Sequence, residues 1–168
     1  MPSTIETLAG RLGELLLRQS GWLATAESCT GGLLAGAMTA VAGSSGWYDR
    51  GWITYSNDAK VRELGVVSQT IDHFGAVSEE VARQMAAGVL AEAPRATLAL
   101  TTTGIAGPGG GTEAKPVGLV WFGFARRVDD ELVVCAASRV FPGDRHAVRM
   151  AAVSFALESA IALLSDGR

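Results

Sequence analysis

The 168 residues include only two cysteines, Cys29 and Cys135, and two histidines, His73 and His146. Two cysteines cannot build a zinc cluster, and the sequence offers no His/Cys/Asp set to hold a metal, so no metal and no other cofactor is expected. One cysteine pair is also a poor argument for a disulfide-framed secreted domain. The N-terminal MPSTIETLAGRLGELLL has no basic residue ahead of its apolar ones and does not read as a signal peptide. Charge is scarce: 18% of residues are charged, 14 basic against 17 acidic, for a net −3. With 48% apolar residues this excludes a disordered chain. It also supplies no basic field, which argues against a nucleic-acid partner. The longest uncharged run, Ser28 to Tyr48, has 21 residues and bilayer length, but five glycines and several hydroxyl residues interrupt it. A packed interior segment is expected there, not a membrane span. What remains is a cytoplasmic globular chain, long enough to bury roughly 70% of its unfolded surface.

What is present is patterned. Residues 4–19 place Ile5, Leu8, Leu12, Leu15 and Leu16 at helical spacing. Residues 22–26 form a short strand, and LLAGAMTAVAG, ending at Gly43, a buried helix. The aromatic and β-branched segment 47–55 is a strand, and Ser56 with Asp58 opens a helix over SNDAKVREL. Ser78, Glu79 and Glu80 open another, limited by Pro94. Residues 96–102 form a strand, and five glycines within 104–111 make a loop. Segment 117–124 is apolar on both faces and suits a central strand; 132–141 is its hairpin partner across Asp129-Asp130. Asp144 caps a last helix running to about Leu164. Early alternation and a late hairpin predict an α/β fold, a three-layer α/β/α sandwich with a mixed sheet, as a single domain over residues 1–168.

Three polar patches interrupt this apolar background. In AESCTGG (26–32), between a strand and a helix start, the Ser28 hydroxyl faces outward beside the N–H groups of Thr30, Gly31 and Gly32. Those amides suit a phosphate, or the oxyanion formed when Ser28 attacks a carbonyl; equally, Ser28 or Thr30 is no more than a helix cap. In Tyr55-Ser56-Asn57-Asp58-Ala59-Lys60, the lysine sits near a helix start, which disfavours its charged form and suits it to act as a base. The alternative is a solvated lysine beside Arg62 and Glu63. His73 reads as a helix-end or loop residue and His146 as a surface or helix-start one, neither in a glycine-rich or strand-end setting. In TTTGIAGPGGG (101–111) the glycines expose successive N–H groups to an anion. The GK[ST] end of a phosphate-binding loop and a clean GxGxxG are both missing. Lys115, Arg145 and Arg149 are available cations.

In this order, AESCTGG (26–32), AGSSGWYDRGWITYSNDAK (42–60), GAVSEEVA (75–82), TGIAGPGGG (103–111), KPVGLVWFG (115–123) and FPGDRHAVR (141–149) resemble the CinA C-terminal domain family. The resemblance spans about residues 24–155 and departs from many relatives at Gly109, where they carry Asp. It implies a single α/β/α domain that hydrolyses the carboxamide of nicotinamide mononucleotide (NMN) to nicotinate mononucleotide and ammonia. The family's catalytic serine, tyrosine and lysine fall on Ser28, Tyr55 and Lys60, with the proton passing to Lys60 directly or through the Tyr55 hydroxyl. Substrate-binding residues are expected among Thr30, Gly31, Gly32, Ser45, Asn57, Thr103, Gly104, Ala106, Gly107 and Arg145, with the 103–111 loop and Arg145 on the ribose phosphate. Cys29 is taken as a packing residue. The length resembles the free-standing amidase form, without the nucleotide-pyrophosphatase-like half of full-length CinA. Two rivals stand beside the enzyme: an inactive ligand-binding or interaction module in competence or DNA damage, and a phosphatase, which would need a metal site. A homo-oligomer fits the low charge fraction and the open edge of a mixed sheet.

Overall fold

The computed structural model describes residues 3–166. Helix α1 (Thr4–Arg18) opens on a reciprocal cap, the Ser3 side chain accepting from Glu6 N–H while the Glu6 carboxylate accepts from Ser3 N–H. Its stripe Ala9, Leu12 and Leu16 is buried. Strand β1 (Leu23–Glu27) is buried along its whole length because both neighbours and both faces are covered. It pairs in parallel with β2 (Tyr48–Ile53) on one side and β3 (Leu98–Gly104) on the other. Strands β4 (Leu119–Val128) and β5 (Glu131–Val140) continue the sheet antiparallel, giving the order β2-β1-β3-β4-β5. The β4–β5 turn places Asp129 at φ 51° and Asp130 at φ 66°, the left-handed pair of a two-residue hairpin.

Alternation along the strands separates two cores. Leu23, Leu98, Leu100, Val120, Phe122 and Phe124 face α1, α2 (Leu33–Thr39) and α6 (Arg145–Ser165). Ala24, Ala26, Ala99 and Ala125 face the opposite way, against α5 (Glu79–Glu92) and the residues of α3 (Asn57–Leu64) and α4 (Ser68–Phe74). The second face carries alanines because α5 approaches closely. A Cβ on Gly123 would lie 2.1 Å from the Ala82 carbonyl oxygen, and one on Gly88 2.0 Å from that of Leu64. The result is the three-layer α/β/α sandwich with a mixed sheet. By length and composition α6 could cross a membrane, but its stripe from Val148 to Leu164 lies buried in the first core.

Two local expectations are corrected. The helix after Gly32 ends at Thr39 rather than Gly43, and a 3-10 turn, Ser44–Gly46, comes after it. Strand β2 stops at Ile53, so Thr54 and Tyr55 leave the sheet. The seven-residue α4 shows no clear periodicity and lacks a side-chain cap at Val67. Because β1, β2 and β3 run parallel, Ser28, Thr54 and Gly104 emerge together at their C-terminal ends, where ligands bind in open α/β sheets.

Candidate active site

Ser28 comes directly after β1 and is 8% exposed. Its N–H donates to the Thr102 carbonyl, which ties the residue to β3. Lys60 sits in the first turns of α3, capped by Ser56, and is 1% exposed. Its Nζ lies 3.0 Å from Ser28 Oγ, 2.9 Å from the Thr54 carbonyl and 3.1 Å from the Tyr55 carbonyl. Among the described residues no carboxylate pairs with this amine, and burial pulls it down from 10.5 to about 8. A neutral amine has two N–H donors and one lone pair. With the two carbonyls taking the donors, the lone pair is free to receive the Ser28 hydroxyl proton once that proton turns from the Tyr55 carbonyl, 3.4 Å from Oγ, to Nζ.

Tyr55 is divided between two jobs. Its carbonyl belongs to the Lys60 cradle and also accepts from Ser28 Oγ at 3.4 Å. Its phenol is turned outward, on a residue 60% exposed, and accepts from Arg145 Nη2 at 3.2 Å. Of the two expected routes, direct or through the Tyr55 hydroxyl, the geometry here favours the direct one: the phenol is bonded to Arg145, and Ser28 Oγ lies 3.0 Å from Lys60 Nζ. Cys29 adjoins the nucleophile but is buried, and burial raises its thiol from 9.0 to about 11.

The turn after Ser28 differs from expectation. Gly31 at φ 55° and Gly32 at φ 104° supply the left-handed backbone that only glycine adopts without strain. Yet the Gly31 N–H is taken by the Ser28 carbonyl at 3.1 Å, so it does not face a ligand. The first free amides of α2 are filled as well: the Glu27 carboxylate accepts from Leu34 N at 2.8 Å and Ala35 N at 3.0 Å. Thr30 is fully buried, its hydroxyl donating to Glu27 Oε1 at 2.6 Å and meeting Thr102 Oγ1 at 2.8 Å. These inward bonds engage the Thr30 side chain, and its backbone N–H, the group expected to face a ligand, has no acceptor among the described residues. Arg149 of α6 grips the outer side, its Nε donating to the Cys29 carbonyl at 3.0 Å and its Nη2 to that of Thr30 at 3.4 Å.

Beside Ser28 opens a cleft of about 220 Å³, lined by Cys29, Tyr55, Gly104, Ala106, Gly107 and Arg145 among others. Arg145 Nη1 donates to the Gly107 carbonyl at 2.8 Å, so the glycine loop, Tyr55 and α6 meet at one guanidinium. Three expected ligands are elsewhere. The Thr103 hydroxyl is buried on the Ala76 carbonyl. Asn57 is exposed and lines a separate depression with Val61 and Asp72. Ser45 precedes β2 and so stands at the opposite end of the sheet, about 15 Å along the strand from the Ser28 end. A larger apolar groove of about 500 Å³ between α1, α2 and α6 contains none of Ser28, Tyr55 or Lys60. Among the described residues no three His, Cys, Asp or Glu side chains cluster as a metal site requires.

Sequence reasoning misses Glu27. Its signal is a carboxylate ending an otherwise apolar buried strand, which demands hydrogen-bond donors close by. Arg149 is an available cation by sequence and a backbone clamp in the fold. Its position four residues after Arg145 puts both on one face of α6.

Residues 5–164 match the family model of the CinA C-terminal domain. The chain is 49% identical over 157 residues to a nicotinamide-nucleotide amidohydrolase PncC of Enterobacter agglomerans, covering 94% of this chain and 93% of that one. It is 45% identical, with the same coverage, to the protein of that name from Escherichia coli K12. A crystal structure of a CinA superfamily protein from Klebsiella pneumoniae superposes with a TM-score of 0.90 at 36% identity, over 98% of this chain and 99% of that one. The competence/damage inducible protein of Agrobacterium tumefaciens gives 0.88 at 47% identity, over 97% of each.

Proposed function

The chain belongs to the CinA C-terminal domain family, and from that premise we infer that it hydrolyses the carboxamide of nicotinamide mononucleotide, giving nicotinate mononucleotide and ammonia. Relatives aligned over nearly their whole length carry the name of that amidohydrolase. The observation that carries a mechanism is the 3.0 Å contact between Ser28 Oγ and a buried Lys60 Nζ with no opposing carboxylate. Ser28 Oγ attacks the amide carbon while Lys60 Nζ accepts its proton. The tetrahedral oxyanion is held by amides of the turn just after Ser28. Lys60 returns the proton to the departing nitrogen, ammonia leaves, and a nicotinoyl ester remains on Ser28. Water, deprotonated by the same amine, hydrolyses that ester and regenerates both groups. The chemistry needs only a hydroxyl, an amine and backbone donors.

Arg145 with the glycine loop is our candidate for the substrate phosphate, since a guanidinium and Gly107, Gly109 and Gly110 line one cleft there. Both cysteines are free thiols, in keeping with a reducing cytoplasm. A homo-oligomer belongs to the same proposal. Edge strand β5 leaves Leu132, Val133 and Val140 exposed, and sedimentation equilibrium would detect association or rule it out.

The deciding experiment is ammonia release from NMN by the purified protein, with and without a chelator. Turnover that survives the chelator and vanishes in Ser28→Ala is expected. A folded wild type with no turnover would favour the interaction module, and phosphate release in place of ammonia would favour the phosphatase.

A further inference from the structure

Three backbone amides in the turn after Ser28 have no protein acceptor among the described residues, those of Cys29, Thr30 and Gly32, and the first two follow carbonyls that are themselves held. A trans peptide points its N–H opposite to its C=O, so whatever holds the carbonyl also aims the amide one residue later. The Cys29 amide is aimed by the bond from Gly31 N–H to the Ser28 carbonyl. The Thr30 amide is aimed by Arg149, whose Nε holds the Cys29 carbonyl at 3.0 Å. The rest of Thr30 is fixed from two more sides. Its hydroxyl is held by Glu27 and Thr102, and its carbonyl accepts from Arg149 at 3.4 Å and Leu33 N at 2.9 Å. Its amide is thus the unengaged group of an otherwise fully anchored residue, two positions after the nucleophile.

We propose that Arg149 is a positioning residue for the reaction, holding the Cys29–Thr30 peptide so that the Thr30 N–H donates to the oxyanion beside that of Cys29. Arg149 touches neither substrate nor Ser28 Oγ in this arrangement; it acts through two carbonyls. The geometry asks for a guanidinium, because one planar group reaches two adjacent carbonyls at once and keeps its charge at every working pH. Glu27 supports the same peptide from the core side by anchoring the Thr30 side chain. A donor aimed only at the transition state lowers the barrier without tightening substrate binding.

The inference rests on the amidase reading, and the wild type is measured first: without ammonia release from NMN the reading itself falls, separately from this proposal. Given wild-type turnover, Arg149→Met is expected to lower kcat about a hundredfold with KM within about threefold, and the apparent pKa of the pH–rate profile should stay in place. Arg149→Lys, which reaches one carbonyl, should fall between the two. The aldehyde analogue of NMN, which adds Ser28 to form a tetrahedral hemiacetal, should bind Arg149→Met weaker by the same factor as kcat/KM. Nicotinate mononucleotide should bind both proteins alike. Circular dichroism checks that each variant is folded. If Arg149→Met unfolds, the aldehyde-to-product affinity ratio of Arg149→Lys decides alone. An unchanged kcat in a folded variant, or equal losses for aldehyde and product, would overturn the proposal.

Discussion

Cys29 and Ser28 are neighbours with opposite chemical prospects. A thiol attacks as its thiolate, and burial holds Cys29 at about 11, whereas Ser28 has a base at 3.0 Å. Ser28→Ala is therefore expected to lose at least about a thousandfold in kcat, and Cys29→Ala to stay within about tenfold of wild type. For Lys60 the working form is the neutral amine. With the amine at about 8, kcat/KM should rise with pH through an apparent pKa near 8 and level off above it. Lys60→Arg and Lys60→Met should both be inactive, the first because a guanidinium stays protonated; a turning-over Lys60→Arg would show that only positive charge is needed there. The Tyr55 phenol, bonded to Arg145, predicts a different result. Tyr55→Phe should keep kcat within about tenfold and raise KM a few-fold, whereas a phenolic relay would make kcat collapse. If Arg145 reads the phosphate, the riboside of nicotinamide should be a far poorer substrate than NMN, and Arg145→Ala should erase that preference.

Among the elements, α3 and α5 are coupled to the chemistry through close packing. Gly88 of α5 lies against the Leu64 carbonyl at the end of α3, and α3 carries Lys60. Gly88→Ala must push α3 outward, because the obstacle is backbone, not a side chain that can rotate. A loss of about 2 kcal/mol in denaturant unfolding is expected, with a fall in kcat as the Lys60–Ser28 contact lengthens. Asp144 caps α6 through Ala147 N–H at 2.9 Å, and the first two turns of that helix deliver Arg145 and Arg149. Asp144→Ala should cost about 1 kcal/mol, read as a Tm lower by about 3 °C.

At the scale of the whole molecule, the buried lysine makes stability depend on pH. The folded chain holds Lys60 at about 8, while the unfolded chain holds a lysine near 10.4. Between these values the unfolded state binds more protons, so stability rises with pH across that window; below about 8 both states are protonated and the penalty of the buried charge is constant. Relative to Lys60→Met, the wild type should therefore gain stability from pH 8 to pH 10, by about 3 kcal/mol at most. Parallel curves for the two proteins in denaturant titrations across that range would mean that Lys60 is not desolvated in the folded state.

Periodicity, caps and turn residues are local properties, and the sequence alone determined the features that depend on them. The caps at Ser56, Ser78 and Asp144, the Asp129-Asp130 hairpin, the mixed sheet and the strand-end position of Ser28 were all legible. The family resemblance singled out Ser28, Tyr55 and Lys60 together, and only the fold brings Ser28 and Lys60, 32 positions apart, to hydrogen-bond distance. The α4 helix was illegible because seven residues with no side-chain cap leave too little pattern. The direction of each side chain at the site was illegible for a different reason. Thr30 turns inward because a buried Glu27 needs donors, and Thr103 because the Ala76 carbonyl arrives from another segment. Ser45 lies at the far end because β2 runs parallel to β1, so the residues entering β2 are remote from those leaving β1. The phenol of Tyr55 leaves the lysine because Arg145, 90 residues later, is there to meet it. A turn residue's orientation is set by the unsatisfied groups that distant strands and helices present to it, and only the tertiary structure decides which groups those are.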